Sequence, residues 1–369
     1  MNILYIGRTV FPDGDAVAQR ILSNSRLFNS LGHNVTLLGL NSNCNNRGNV
    51  DGIQFDNIIV PTGSFMTSIK TYRTKIDNHG YDILICYNFP AAPLFQIMRL
   101  ARRDGVKVVA DCTEWYMPKG NLLKRIFRKM DIDCRMKYLH KRVDGLIVIS
   151  SFLRDYYSKH KNIILLPPLV DRSDAQWERQ EVSSDELNIV FAGTIGFGNK
   201  DRVDWIVESL SDISCANRLK VNIFGVSAGE YTEAYHYSKP IPDYIVFHGK
   251  VSHSEVIKAL TEADFQIFFR EHNISNMAGF PTKFAEAVSA GALVITNSTS
   301  DLPAMIEKLK AGFIIDITSK EVIKESLASI LEEHISLIRE REMNIDTDAF
   351  DYKRYTPEAE SFFKKLQES

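Results

Sequence analysis

Five cysteines (Cys44, Cys86, Cys112, Cys134 and Cys215) are scattered through 369 residues. They are odd in number and lack metal or redox spacing, which excludes a disulfide framework and predicts a reducing, cytoplasmic setting. No run of about 18 apolar residues occurs, so no membrane-spanning helix is expected. The opening Asn2-Ile3-Leu4-Tyr5-Ile6-Gly7 reads as a strand, with no basic stretch leading into an apolar one, so no signal peptide is expected. Formal net charge is only -2, which gives no overall drive toward nucleic acid. Neither half has G-x-G-x-x-G after its first strand, which argues against a nicotinamide dehydrogenase. His236, His248 and His253 have no ligand-like spacing, and neither a metal nor a cofactor is expected. Internal repeats and low-complexity tracts are also missing.

What is present is alternation. Strand Ile3–Gly7 is followed by a loop with Pro12, Asp13 and Gly14, a helix over 16–31, a stop at Gly32-His33 and a strand over 35–38. Apolar runs follow at 83–86, 106–110 and 145–149, with helical segments between them. After Pro167-Pro168 and a charged run, the pattern restarts with strands at 187–192, 220–224, 244–247, 265–268 and 293–296. Alternating β and α elements predict doubly wound parallel sheets. The expected division is a first Rossmann-like domain over 1–170, a second over 171–350 and a closing helix over 351–369. Two such domains facing across a cleft would put a ligand between them.

The most informative stretch is Gly279-Phe280-Pro281-Thr282-Lys283-Phe284-Ala285-Glu286, running on to Gly291. Thr282 reads as a helix N-cap and Gly291 as the stop. A helix N-terminus presents free N–H groups and a positive dipole end, which suit an anion such as a diphosphate. Lys283 in the first turn opposes the dipole and makes sense beside a bound anion. Gly193-Thr194-Ile195-Gly196-Phe197-Gly198-Asn199-Lys200 follows a strand, and its glycines permit close backbone approach to phosphate. Arg270 ends the apolar strand 265–269, where parallel sheets bind ligands, and an arginine grips phosphate bidentately. A salt bridge to Glu271 is its plainer role. Asp111 and Glu114 end the strand before Trp115, where one of them suits a plain helix cap.

The 279–295 segment resembles the second domain of GT-B-fold glycosyltransferases of family four, in the polysaccharide-assembly branch with a P-[ST]-K-[LF]-x-E-x-x-[AS]-x-G pattern. Leu31 to Thr36, Asp144 to Arg154, Leu166 to Asp171, Phe191 to Thr194 and Phe350 to Leu366 carry the resemblance over nearly the whole chain. It implies that Glu286 accepts hydrogen bonds from the ribose hydroxyls. Lys200, Arg270, Lys283 and the helix start at Thr282 would hold the diphosphate, with Gly193, Gly279 and Phe280 beside it. The base would lie near Gly249, Lys250 and Val251. Gly14 and Arg20 sit where the family's first loop closes over the diphosphate, although Arg20 equally suits a surface charge. The family's Glu-x7-Glu motif lacks its first Glu here, where Ala278 stands. Thr194 replaces an arginine, Thr113 replaces a histidine, so that Asp111 or Glu114 would contact donor or acceptor hydroxyls instead, and either Lys200 or Arg202 takes the place of the family's lysine.

The resemblance implies a retaining, metal-independent transferase that moves a hexose-type sugar from a nucleotide-diphosphate donor to a glycan or lipid-linked acceptor. A non-catalytic nucleotide-sugar-binding scaffold and a nucleotide-sugar epimerase are the rival readings. Residues 119–142 hold nine basic side chains against two acidic ones, with Leu122, Leu123, Ile126, Phe127 and Met130 at helical spacing. An anionic membrane surface suits such a helix, and so does packing on its own sheet. Asp131-Ile132-Asp133 spells a D-x-D, a metal motif elsewhere, but inside a basic helix it is not expected to bind metal.

Overall fold

The computed structural model describes residues 1–12, 14–60, 80–118, 120–180, 185–195, 200–336 and 345–368. Asp13, Lys119 and the loop residues Gly196, Phe197, Gly198 and Asn199, singled out above, lie outside them. The chain forms two compact units. The first comprises Met1–Asp171, Met277–Phe280 and Tyr352–Ser369; the second comprises Arg172–Asn276 and Pro281–Asp351.

Among the described residues, the first unit is built on eight strands: β1 (Asn2–Gly7), β2 (Asn34–Asn41), β3 (Asn46–Val50), β4 (Ile53–Ile59), β5 (Ile83–Tyr87), β6 (Lys107–Cys112), β7 (Gly145–Val148) and β8 (Ile163–Leu165). Their order is β3-β4-β2-β1-β5-β6-β7-β8, parallel throughout except for the β3–β4 hairpin. Burial on both faces explains why β1, β5 and β7 are continuous apolar runs. Helix Ala16–Ser30 starts at Asp15, whose carboxylate accepts from the Val17 and Ala18 amides. It buries Ile21, Leu22, Leu27 and Phe28. The terminal helix Thr356–Glu368 belongs to this unit. Its Phe363 packs edge-on to Phe28 at 4.9 Å, and Phe362 sits where Gly145 leaves room for a ring.

Among its described residues, the second unit has six parallel strands: β9 (Leu187–Ala192), β10 (Leu219–Phe224), β11 (Ile245–Gly249), β12 (Phe265–Ile267), β13 (Leu293–Asn297) and β14 (Gly312–Ile315). The order is β11-β10-β9-β12-β13-β14. The connections leave β9 to one side for β10 and later return on its other side as β12. The carboxyl ends of β9 and β12 therefore flank a topological switch point, where a parallel sheet opens to a ligand. No described helix is long and apolar enough to cross a membrane.

Candidate functional site

Three segments meet at the switch point of the second unit. The loop after β9 delivers Asp201, β12 runs on into Arg270, and helix Thr282–Ser289 brings Lys283. Asp201 Oδ1 accepts from Arg270 Nε at 2.8 Å, and its Oδ2 accepts from Lys283 Nζ at 2.7 Å. All three side chains are about nine-tenths buried, at 10–11% exposure. The backbone fixes the arrangement. Asp201 forms an antiparallel bridge with Arg270, Arg202 N–H donates to Phe269 O, and the Asn297 side chain brackets the Arg270 peptide from both sides.

Gly193 makes the site possible. A Cβ at that position would lie 2.9 Å from both Lys283 Nζ and the Phe191 ring. Its absence lets the ammonium reach the end of β9, over the rings of Phe191 at 4.7 Å and Phe268 at 5.4 Å. Burial raises the Asp201 carboxyl, but Lys283 and Arg270 overcome that and hold it far below the usual carboxylate range. Burial lowers the Lys283 ammonium; Asp201 opposes this and Arg270 adds to it. Two cations thus share one carboxylate, leaving a positive surplus in a low-dielectric setting. Among the described residues Arg270 makes one side-chain hydrogen bond, through Nε, so both Nη atoms remain for an anion.

Glu286 lies one turn along the same helix. Its Oε1 is 2.9 Å from His253 Nε2, the first residue of helix His253–Thr261. This hydrogen bond raises the His253 imidazole above its ordinary value against the effect of burial. Lys250 is exposed and Val251 half-buried, in the turn between β11 and that helix. Thr194 and Lys200 are exposed on the loop after β9.

Several expectations are corrected. Thr282 is not the N-cap; Pro281 holds that position and no side chain caps the helix. Arg270 is bridged not to Glu271 but to Asp201. Arg202 is already engaged: Nε donates to Asp204 Oδ1 and Nη1 to Glu271 Oε1, both at 2.9 Å, and the guanidinium stacks 4.1 Å over Trp205. Gly279 and Phe280 are both buried, and they group with the first unit.

In the first unit, Asp111 is fully buried and makes a bidentate pair with Arg20, while Tyr5 Oη donates to it as well. It is therefore neither a helix cap nor open to a sugar hydroxyl, and Arg20 is not a surface charge. Gly14 is required by the loop itself, because a Cβ there would collide with the Val10 carbonyl and Thr9 Oγ1. Glu114 is half-buried just beyond β6. Asp131 of the D-x-D accepts from the Ala91 amide at the start of helix Ala91–Asp104, and Asp133 pairs with Lys137. No cluster of potential metal ligands occurs among the described residues.

Sequence reasoning missed Asp201 and the role of His253. Asp201 stands between Lys200 and Arg202, where it reads as one more loop charge. Its partners are 69 and 82 residues away. Only the fold brings them together.

Comparison with known proteins bears on the same region. The model of the family described as glycosyl transferases group 1 matches residues 186–333. No curated protein matches the chain in sequence. Among solved structures, sucrose-phosphate synthase from Thermosynechococcus elongatus superposes with a TM-score of 0.73 at 12% identity, covering 99% of this chain and 98% of that one. Anabaena HepE in complex with UDP and glucose gives 0.68 at 10% identity, covering 99% of each chain. The pneumococcal O-GlcNAc transferase GtfA in complex with UDP and GlcNAc gives 0.67 at 11%, covering 100% and 99%. The second unit carries a group 1 glycosyl transferase domain, and the chain is a glycosyltransferase of GT-B fold.

Proposed function

We propose that the switch-point site of the second unit binds the donor, a nucleotide-diphosphate sugar. Arg270 and Lys283 meet the diphosphate, the uncapped start of helix Thr282–Ser289 adds its amides and dipole, and Glu286 receives the ribose hydroxyls. Lys200 stands at the rim of the same loop. The observation that carries this reading is the buried pair of cations on a single carboxylate, with the Arg270 Nη atoms left over. Departure of the sugar leaves negative charge on the diphosphate, and preorganised cations in a buried site stabilise that charge. The acceptor hydroxyl attacks from the face the diphosphate leaves, and a leaving phosphate oxygen takes its proton. The anomeric configuration is then retained. The structures of HepE with UDP and glucose and of GtfA with UDP and GlcNAc support a nucleotide-sugar donor.

The acceptor in this reading is a glycan or lipid-linked glycan, met at an anionic membrane surface through helix Leu122–Cys134 of the first unit. That helix buries only Ile132. Leu122, Phe127 and Met130 are 71, 69 and 62% exposed, so the apolar stripe is not packed on its own sheet. Lys124, Arg125, Arg128 and Lys129 flank it. An apolar stripe edged by lysine and arginine suits the headgroup boundary of a bilayer.

The deciding experiment is a donor screen with UDP-, GDP-, ADP- and dTDP-sugars, with and without chelator. Thermal stabilisation and slow hydrolysis by one donor, unchanged by chelator, is the expected result. Silence across the panel, with no nucleotide diphosphate bound, rejects the donor site.

A further inference from the structure

Asp201 is not an anion ligand; a carboxylate repels phosphate. Yet it lies at the centre of the anion site, nine-tenths buried, with both oxygens on cations and its backbone clamped to Arg270. A residue bridged to the sheet end in this way is a permanent part of the site rather than a stand-in for the ligand. We propose that Asp201 is a positioning residue that keeps Lys283 in its ammonium form and aims Arg270, so that the site offers two cations to the donor diphosphate. This inference rests on the donor reading given above.

The physical argument concerns Lys283. It is 8% exposed, lined by the Phe191 and Phe268 rings, and next to a second cation. A buried lysine among apolar groups and beside an arginine sheds its proton readily. The charged and titratable groups around it are Asp201 on the loop after β9, Arg270 beyond β12 and Glu286 on its own helix. Tyr235, at the end of helix Ala228–Tyr235, senses Asp201 in turn. Asp201 is the acid in direct contact with the ammonium. Its Oδ1 also ties down Nε of Arg270, which leaves the Nη fork as the part of the guanidinium open to phosphate.

The test is binding of UDP, GDP, ADP and dTDP by titration calorimetry from pH 6.5 to 9, with the parent protein and Asp201→Asn. For the nucleotide that the parent binds, the ratio of variant to parent affinity cancels titration of the ligand itself. It is expected to fall at least tenfold across this range, because the variant lacks the carboxylate in contact with the ammonium and Lys283 then loses its proton more readily than in the parent. Arginine stays protonated at any of these pH values, so Asp201→Asn combined with Lys283→Arg is expected to flatten the ratio again. Asp201→Ser, smaller and also uncharged, serves if the asparagine variant does not fold. A constant ratio overturns the inference while leaving the donor site standing. Absence of binding by the parent across all four nucleotides overturns both.

Discussion

Arg20 and Asp111, 91 residues apart, meet in a buried bidentate pair, Nε to Oδ2 at 3.1 Å and Nη2 to Oδ1 at 2.9 Å. The remaining nitrogen, Nη1, donates to the Leu166 carbonyl at 2.9 Å. One guanidinium therefore joins the first helix, the end of β6 and the chain leaving β8. Asn24 completes the network through the Tyr5 hydroxyl.

Removing one member of such a pair leaves a buried charge without a partner. Asp111→Ala is expected to destabilise the protein by about 3–5 kcal/mol. Chemical denaturation measures this, with nucleotide affinity well below the melting temperature as the contrast. The proposed nucleotide site lies in the second unit, so affinity should stay at the parent value. A variant of parent stability with lost donor turnover would return Asp111 to a role in chemistry.

Glu286 is the counterpart in the second unit. If it receives ribose hydroxyls, Glu286→Ala removes buried hydrogen bonds to a charged acceptor and weakens nucleotide binding by roughly 1–3 kcal/mol. Calorimetry with the nucleotide chosen by the donor screen reads this directly. Unchanged affinity rejects the assignment.

The His253–Glu286 contact has its own pH signature. The imidazole is raised above its ordinary 6.5 by the Glu286 hydrogen bond. A group whose folded value is raised contributes stability that is fully present below its unfolded value. That contribution disappears as pH rises through the folded value, so the loss falls above 6.5. Urea unfolding of the parent and His253→Gln between pH 5.5 and 8.5 should show the largest difference at the acid end, shrinking with rising pH. A difference independent of pH means that the pair carries no charge.

The sequence made the parallel strands legible because burial on both faces writes them as apolar runs; 187–192 coincides with β9 end to end. The β3–β4 hairpin was not legible in the same way. Its Asn46-Arg47-Gly48-Asn49 is polar and exposed, and an edge strand needs no apolar pattern. The available cue was Asp51-Gly52, both with positive φ, which is turn chemistry rather than strand chemistry. At the site, Glu286 and Lys283 were legible because both lie in one contiguous motif. The Asp201 bridge was not, since charge pairing across loops leaves no trace in local spacing. Thr282 was misplaced by a single residue because propensity favoured it as a cap, whereas Pro281 already holds the extended backbone that a cap needs.

Helix Leu122–Cys134 gives a prediction that separates its two faces. Leu122, Leu123, Ile126, Phe127 and Met130 recur at spacings of one and four residues, so they share a side, and Lys124, Arg125, Arg128 and Lys129 recur beside them in the same rhythm. Electrostatic attraction to anionic lipid contributes about 1 kcal/mol per basic residue near the surface and is screened by salt. Making the four basic residues neutral should therefore reduce binding to phosphatidylglycerol-containing vesicles by well over tenfold at low salt, with the deficit narrowing as salt rises. Phe127→Ser should weaken binding by an amount that salt does not change, because it removes buried apolar area rather than charge. Both variants alter exposed side chains only, so their melting temperatures should match the parent. Vesicle binding that ignores both changes would assign the exposed stripe to some surface other than lipid.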